Sequence, residues 1–132
     1  MRYIGIDYGT KRVGIAVSDE AARFALPHSV IPNDTHLLDE VRSIADQNKS
    51  DTIVIGESRS YDMKPNRVQA DIAGFKMALD AAGLKTFFEP EFMTSQQAER
   101  EQGKHEKIDA SAAALILQSF LDKINPTMQS DE

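Results

Sequence analysis

The sequence predicts an α/β domain built on a mixed five-stranded sheet, three antiparallel strands followed by parallel crossovers, with helices on both faces. Three observations predict it. The chain opens on two short alternating runs, Tyr3 to Tyr8 and Val13 to Ser18, joined by the polar turn Gly9-Thr10-Lys11-Arg12, the pattern of an antiparallel hairpin. Asp51-Thr52-Ile53-Val54-Ile55-Gly56 is a short β-branched apolar run, which suits a fully buried central strand. Around that run, apolar residues recur at steps of three and four, as on helices with one buried face. At 132 residues the chain holds one real core and not two. We expect the domain to span 1–126 and the tail, 127–132, to be disordered.

In the first strand the pleat places Tyr3, Gly5 and Asp7 on one face and Ile4, Ile6 and Tyr8 on the other. A carboxylate is thereby fixed on a rigid element, with Gly5 and Gly9 leaving the room that a ligand or another chain would need. Capping the following turn is the competing role for Asp7. Arg23 to Ile31 reads as a third strand, and Pro27, which has no N–H to give a ladder, makes it an edge. Leu37, Leu38, Val41, Ile44 and Ala45 then predict a helix over about 35–48, with Asn33 or Asp34 as its cap.

The buried run at 51–56 leads into a polar loop, Glu57 to Lys64. Pro65 suits the first turn of a second helix, carried by Val68, Ile72, Phe75, Leu79 and Ala82 and closed by Gly83. Leu84 to Glu89 is the last strand, and Thr94 with Gln97 forms a capping box for a short helix through Arg100. Ala113, Ile116, Leu117, Phe120, Leu121 and Ile124 define a final apolar helix from about Asp109 to Lys123, stopped by Asn125-Pro126.

Composition narrows the function classes. Hydrophobic content of 41% and charged content of 27% are globular values. With no cysteine, the chain needs no disulfides or thiolate metal ligands, which fits a reducing compartment. It opens on a strand and carries no apolar run of membrane-spanning length, so we expect a cytoplasmic protein. A net charge of −6 argues against coating nucleic acid by bulk charge and leaves open a local basic surface around a site.

The order of elements decides which residues can meet. In an open α/β sheet, the carboxyl ends of neighbouring strands share one crevice. Asp7 lies on a central strand, Glu57 follows the buried strand, Glu89 and Glu91 follow the next one, and Asp109 opens the last helix. Acids gathered at one edge repel unless cations or protons intervene. Oxygen-only ligands suit Mg²⁺ or Mn²⁺, which also bind phosphate oxygens. The chemistry this predicts is metal-assisted hydrolysis of a phosphodiester.

Residues 5–19, GIDYGTKRVGIAVSD, and 107–122, KIDASAAALILQSFLD, resemble the YqgF/RuvX family of Holliday junction resolvase-like proteins, regarded as nucleases that mature pre-16S ribosomal RNA. The resemblance covers nearly the whole chain in order. It implies a ribonuclease-H-like fold and makes Asp7 and Asp109 the first and last metal-binding acids. Many members carry Asp-Glu-Arg followed by Leu-Thr-Thr after the last strand, where this chain has Pro90-Glu91-Phe92 and Met93-Thr94-Ser95. Glu91 therefore keeps the family's glutamate while the preceding acid is missing. Members also tend to have Gly-Leu-Pro after the fourth strand, where this chain reads Gly56-Glu57-Ser58, so Glu57 is an additional acid that could restore the lost charge.

On this reading two ions, Mg²⁺ or Mn²⁺, are held by Asp7, Glu91 and Asp109. Lys11 and Arg12 are the leading phosphate contacts. Lys104 and Thr94 follow, with Lys64, Arg67, His105 and Lys107 more readily explained as solvated surface. The bland roles are an N-cap for Asp109, a solvent-facing strand end for Glu89, core packing for Phe87, Phe88 and the methionines, and ordinary surface for His28, His36 and His105. The expected partner is nucleic acid, a ribosomal RNA precursor before branched DNA, and the protein is a monomer or a homodimer. Two rivals stand beside the nuclease. Gly5 to Thr10 also resembles the first phosphate loop of actin-like and sugar-kinase ATPases, which need a second such domain to clamp ATP. The other rival is an RNA-binding or ribosome-assembly protein that has lost the chemistry.

Overall fold

The computed structural model describes residues 2–58, 67–91 and 110–125, and of residues 57–58, 67–69 and 91 it describes the backbone. Five strands form one mixed sheet: β1 (Tyr3–Tyr8), β2 (Arg12–Ser18), β3 (Ala25–Pro32), β4 (Thr52–Ser58) and β5 (Lys85–Glu91). Among the described residues three helices pack on it, α1 (Leu37–Gln47), α2 (Arg67–Ala81) and α3 (Ala110–Ile124). The strand order is β3-β2-β1-β4-β5. β1–β2 and β2–β3 are antiparallel, while β1–β4 and β4–β5 are parallel. The hairpin, the edge position of the proline-bearing strand and the central place of β1 all follow the expectation.

Alternation divides the core in two. Ile4 and Ile6 of β1, with Val13, Ile15, Val17, Ile53 and Ile55, face α1 and α2. There Val41 and Leu79 are completely buried. On the opposite face, Ala16 and Val54 meet Ala113, Ile116, Leu117 and Leu121 of α3. β4 is apolar on both faces because helices cover both.

α3 can lie this close because Gly5 has no side chain. A Cβ at Gly5 would stand 2.6 Å from Leu117 Cβ and 2.9 Å from the Ala113 carbonyl oxygen. The room beside Asp7 on this strand is thus taken by a helix and not by a ligand. α3 is also tied down at its far end. The Gln118 side chain accepts from Ala25 N (2.9 Å) and donates to the Arg23 carbonyl (2.9 Å), and Asn125 Nδ2 donates to the Ala22 carbonyl (2.9 Å).

Three details differ from expectation. The residue at the N-cap of α1 is His36, with no side-chain cap; Asp34 Oδ1 instead accepts from His36 N (2.9 Å), an Asx turn that delivers the chain into the helix. Asn33 is engaged elsewhere, as described below. β4 and β5 each run two residues further than predicted, to Ser58 and Glu91, because they continue to pair with one another through Ser58↔Glu91. Finally, Phe87 is 46% exposed and Met77 71% exposed. Phe87 stands on an edge strand, where it meets Phe120 at 5.6 Å between ring centroids, and Phe120 in turn meets Tyr3 at 5.9 Å; only Phe88 of the pair packs against the main core. The expected short helix at 94–100 and the tail at 127–132 lie outside the described residues.

Candidate active site

Asp7 occupies the C-terminal half of β1, on the face that α3 covers. Its antiparallel partner on β2 is Gly14. On the other side Ile6 is level with Ile55, so the position following, Gly56, is level with Asp7. Gly56 in turn pairs with Glu89 on β5. Across four adjacent strands the row therefore reads Gly14, Asp7, Gly56, Glu89. The carboxylate of Asp7 stands between two positions that carry no side chain, so neither neighbouring strand crowds it.

The direction of α3 brings its first turn to this row. Phe120 lies against Tyr3, while Ala113 and Leu117 lie over Gly5, so the helix runs antiparallel to β1. Tyr3 to Asp7 is about 13 Å of strand, a length that a helix covers in about nine residues. Counting back from Phe120, the first turn of α3 arrives beside Asp7. Asp109 is the residue before Ala110 and lies outside the described residues, as do Thr94, Lys104, His105, Lys107 and Lys64.

The alternation sets separate the two glutamates that the sequence offers. Phe87, Glu89 and Glu91 form one set on β5, and Phe87 and Glu89 both contact α3. Glu91 thus belongs to the set that shares Asp7's face, two residues beyond the Asp7 row. Glu57 pairs with Pro90 and falls in the set of Ile53 and Ile55, which face α1 and α2. Lys11 and Arg12 are both exposed in the turn that follows Asp7, where the sequence put them. His28 and His36 are exposed as well. Among the described residues no three of His, Cys, Asp or Glu gather into a metal-binding group.

Glu89 is a correction. It is a buried acid, only 3% exposed, not a solvent-facing strand end. One of its carboxylate oxygens accepts from the Ser119 hydroxyl (2.7 Å) and from the Lys123 ammonium (2.6 Å). The lysine side chain is itself 60% exposed. A buried carboxylate needs such donors, and here both come from one helix at i and i+4. The signal was present in the sequence: Glu89 alternates with Phe87 on a strand that α3 covers, and Ser119 and Lys123 share a helical face. Gly14 and Gly56, the flanks of Asp7, were also not singled out, although both sit at strand positions where a missing side chain marks close approach.

Asn33, which follows β3, completes the surroundings of the turn. Its side-chain Nδ2 donates to the Gly9 carbonyl (2.7 Å), and its backbone N–H donates to the Lys11 carbonyl (2.9 Å). On the other face of β1, Tyr8 is packed against Phe75 at 5.5 Å between ring centroids. The strand that carries Asp7 and the turn after it are therefore held from two sides.

Comparison with known proteins identifies the relatives of this arrangement. The family model described as "RuvX: Holliday junction resolvase" matches residues 1–123. A protein of Salinibacter ruber named "Putative pre-16S rRNA nuclease" is 34% identical, covering 92% of this chain and 93% of its own. One of the same name from Nitratidesulfovibrio vulgaris is 32% identical, covering 92% and 94%. Among solved structures, Thermus thermophilus RuvC superposes with a TM-score of 0.60 at 12% identity, covering 98% of this chain and 97% of that one. The Holliday junction resolvase of fowlpox virus gives a TM-score of 0.54 at 14% identity, covering 94% and 99%. At such identities the two structures establish a shared fold, the ribonuclease-H-like one.

Proposed function

The chain belongs to the RuvX family, and on that premise we propose that it is a divalent-metal-dependent nuclease that hydrolyses phosphodiester bonds in maturing the 5′ end of pre-16S ribosomal RNA, working in the cytoplasm. The observation that carries this reading is the position of Asp7, an acid on the central strand with glycine on both neighbouring strands, at the end where α3 begins. The choice of RNA over junction DNA rests on the names of the relatives; the likeness to junction resolvases speaks for the fold.

Asp7, Glu91 and Asp109 would hold Mg²⁺ or Mn²⁺, as a pair of ions. The fit rests on the donor set, which is all carboxylate oxygen as hard cations require, with the register putting Asp7 and Glu91 in the same alternation set and Asp109 one residue before α3 in the sequence. When bound, the ions supply an activated water and charge stabilisation for the leaving oxygen of an in-line displacement. The chain's own residues position and exclude. Asp7 sits on a strand that pairs with β2 through Tyr8 and with β4 through Ile6, so its carboxylate is carried on a rigid element. No side-chain nucleophile is needed. Lys11 and Arg12 hold the phosphates flanking the scissile bond, with Thr94 and Lys104 as further contacts. We leave Glu57, whose backbone position pairs with Pro90, out of the metal set.

The test is cleavage of a labelled single-stranded RNA spanning a ribosomal processing site, beside a four-way DNA junction, in Mg²⁺, Mn²⁺ or EDTA, for the wild type and for Asp7→Asn. We expect metal-dependent RNA cutting that disappears in the variant. Cutting of the junction alone would move the substrate to DNA. RNA binding without cutting under either metal would overturn the nuclease and leave the binding protein.

A further inference from the structure

We propose that Asn33 is a positioning residue for substrate phosphate, acting through the backbone of the Gly9–Lys11 turn. This inference rests on the reading of Lys11 and Arg12 as phosphate contacts. The turn begins two residues after Asp7, and the side chains of Lys11 within it and of Arg12 at the start of β2 are exposed. A short loop carrying two long, rotamer-rich cations presents them poorly unless its backbone is fixed, because ordering it on binding costs entropy that preorganisation removes.

Asn33 supplies that fixation twice from one residue. Its amide Nδ2 donates to the carbonyl of Gly9 at 2.7 Å, and its backbone N–H donates to the carbonyl of Lys11 at 2.9 Å. The two bonds grip both ends of the turn, two and four residues after Asp7. The neighbouring pair Arg12↔Pro32 is the last register of the β2–β3 ladder at this end, so Asn33 is the first residue beyond the sheet and continues its grip where regular pairing stops. The amide is partly buried, and Asn33 does not cap α1, where the N-cap is His36. The sequence reading of Asn33 as a helix cap thus leaves its actual hydrogen bonds unexplained, and the turn explains them.

The backbone bond to Lys11 survives any substitution at this position except proline, so side-chain replacement isolates the Gly9 bond. The experiment measures steady-state cleavage and, in an Asp7→Asn background, equilibrium binding of the same single-stranded RNA, for Asn33→Ala and for Asn33→Asp, which keeps the shape without the donor. Lys11→Ala/Arg12→Ala is measured alone and combined with each. We expect both Asn33 variants to raise KM and the dissociation constant about tenfold, the effect of one lost hydrogen bond at a preorganised site. We expect kcat and the Mn²⁺ concentration for half-maximal rate to stay within twofold. In the Lys11→Ala/Arg12→Ala background the same replacements should change KM less than twofold, since the side chains they position are gone.

An unchanged KM in both Asn33 variants would overturn the proposal, as would a full tenfold effect that persists without Lys11 and Arg12. A fall in kcat or a shifted Mn²⁺ requirement would do the same, because it would mean that Asn33 supports the acid site and not the turn. If Lys11→Ala/Arg12→Ala itself leaves KM and binding at wild-type values, the phosphate reading of the turn fails first. If RNA is bound but not cut by any protein, the binding arm still decides for or against Asn33 while the nuclease reading falls separately.

Discussion

Gly5→Ala is the sharpest test of how α3 is seated on the sheet. The added methyl would lie 2.6 Å from Leu117 Cβ and 2.9 Å from the Ala113 carbonyl oxygen, where ordinary contact begins at 3.4 Å. Neither neighbour can rotate away, one being backbone and the other the first carbon of its side chain, so the helix must lift by about 0.8 Å at Leu117. Overpacking of this kind costs about 1–3 kcal/mol. The lift also loosens the contacts of Ala113, Ile116, Leu117 and Leu121 with Ala16 and Val54, so we expect the upper part of that range, about 2–3 kcal/mol. For a chain of this size that lowers Tm by roughly 8–12 °C, readable by circular dichroism or calorimetry. Two other glycines calibrate the result. A Cβ at Gly56 would meet the Cδ1 end of the Ile116 side chain, which can turn aside, so Gly56→Ala should cost less and Ile116→Val should relieve it. Gly74 in α2 has nothing within 4 Å, so Gly74→Ala should stabilise by about 0.5–1 kcal/mol through helix propensity. A Tm within a degree of wild type for Gly5→Ala, or a larger loss for Gly56→Ala, would refute this account of the helix–sheet contact.

Three further outcomes follow from the same geometry. Lys123→Ala leaves the buried Glu89, among the described residues, with the Ser119 hydroxyl and should cost about 2 kcal/mol in urea denaturation, whereas Glu89→Gln removes the buried charge and lets the half-exposed lysine turn to water, costing under about 1 kcal/mol. Asp19 accepts from the backbone N–H groups of Phe24 and Arg23, which hold its carboxyl below the ordinary 3.8. A depressed folded-state value adds stability above the unfolded value, lost as pH falls through the folded one, so the stability gap between wild type and Asp19→Asn should be full at pH 7 and close progressively below 3.8. Glu57→Gln should leave cleavage rate and Mn²⁺ requirement within twofold; loss of either would restore Glu57 as the acid that makes up for the one missing at Pro90.

Much of the fold was legible because its elements are locally consistent. The hairpin could be read from two alternating runs around a polar turn, β3 as an edge from Pro27, and β4 as central from an unbroken β-branched run. The final helix showed in its apolar stripe. What escaped was set by relations between distant segments. Glu89 looks like a strand-end acid until α3 is laid over β5 and brings Ser119 and Lys123 within reach. Asn33 looks like a helix cap, since asparagine before an apolar-periodic stretch usually is one, and only the return of β3 alongside the first turn gives its amide a better acceptor. The end of β4 was cut short because Glu57 and Ser58 are polar, and pairing with β5 overrides that local signal. For the candidate site, the place of Asp7 on a strand among glycines was readable. Which glycines flank it was not, since that depends on the registers of β2 and β4.

The seating of α3 also sets the order in which this molecule becomes a site. The helix that closes over Asp7's face is held by bonds from Gln118 to a residue 93 positions earlier and from Asn125 to one 103 positions earlier. Such contacts are the slowest to form, because the loop they close must be ordered before they return anything. Until the segment around residues 110–125 has been made and has docked, the first strand presents its acid on an open sheet face with no helix directed at it. Asp7 is therefore made well before the helix that is directed at it, and on the proposed reading the site assembles only once residues 110–125 have docked.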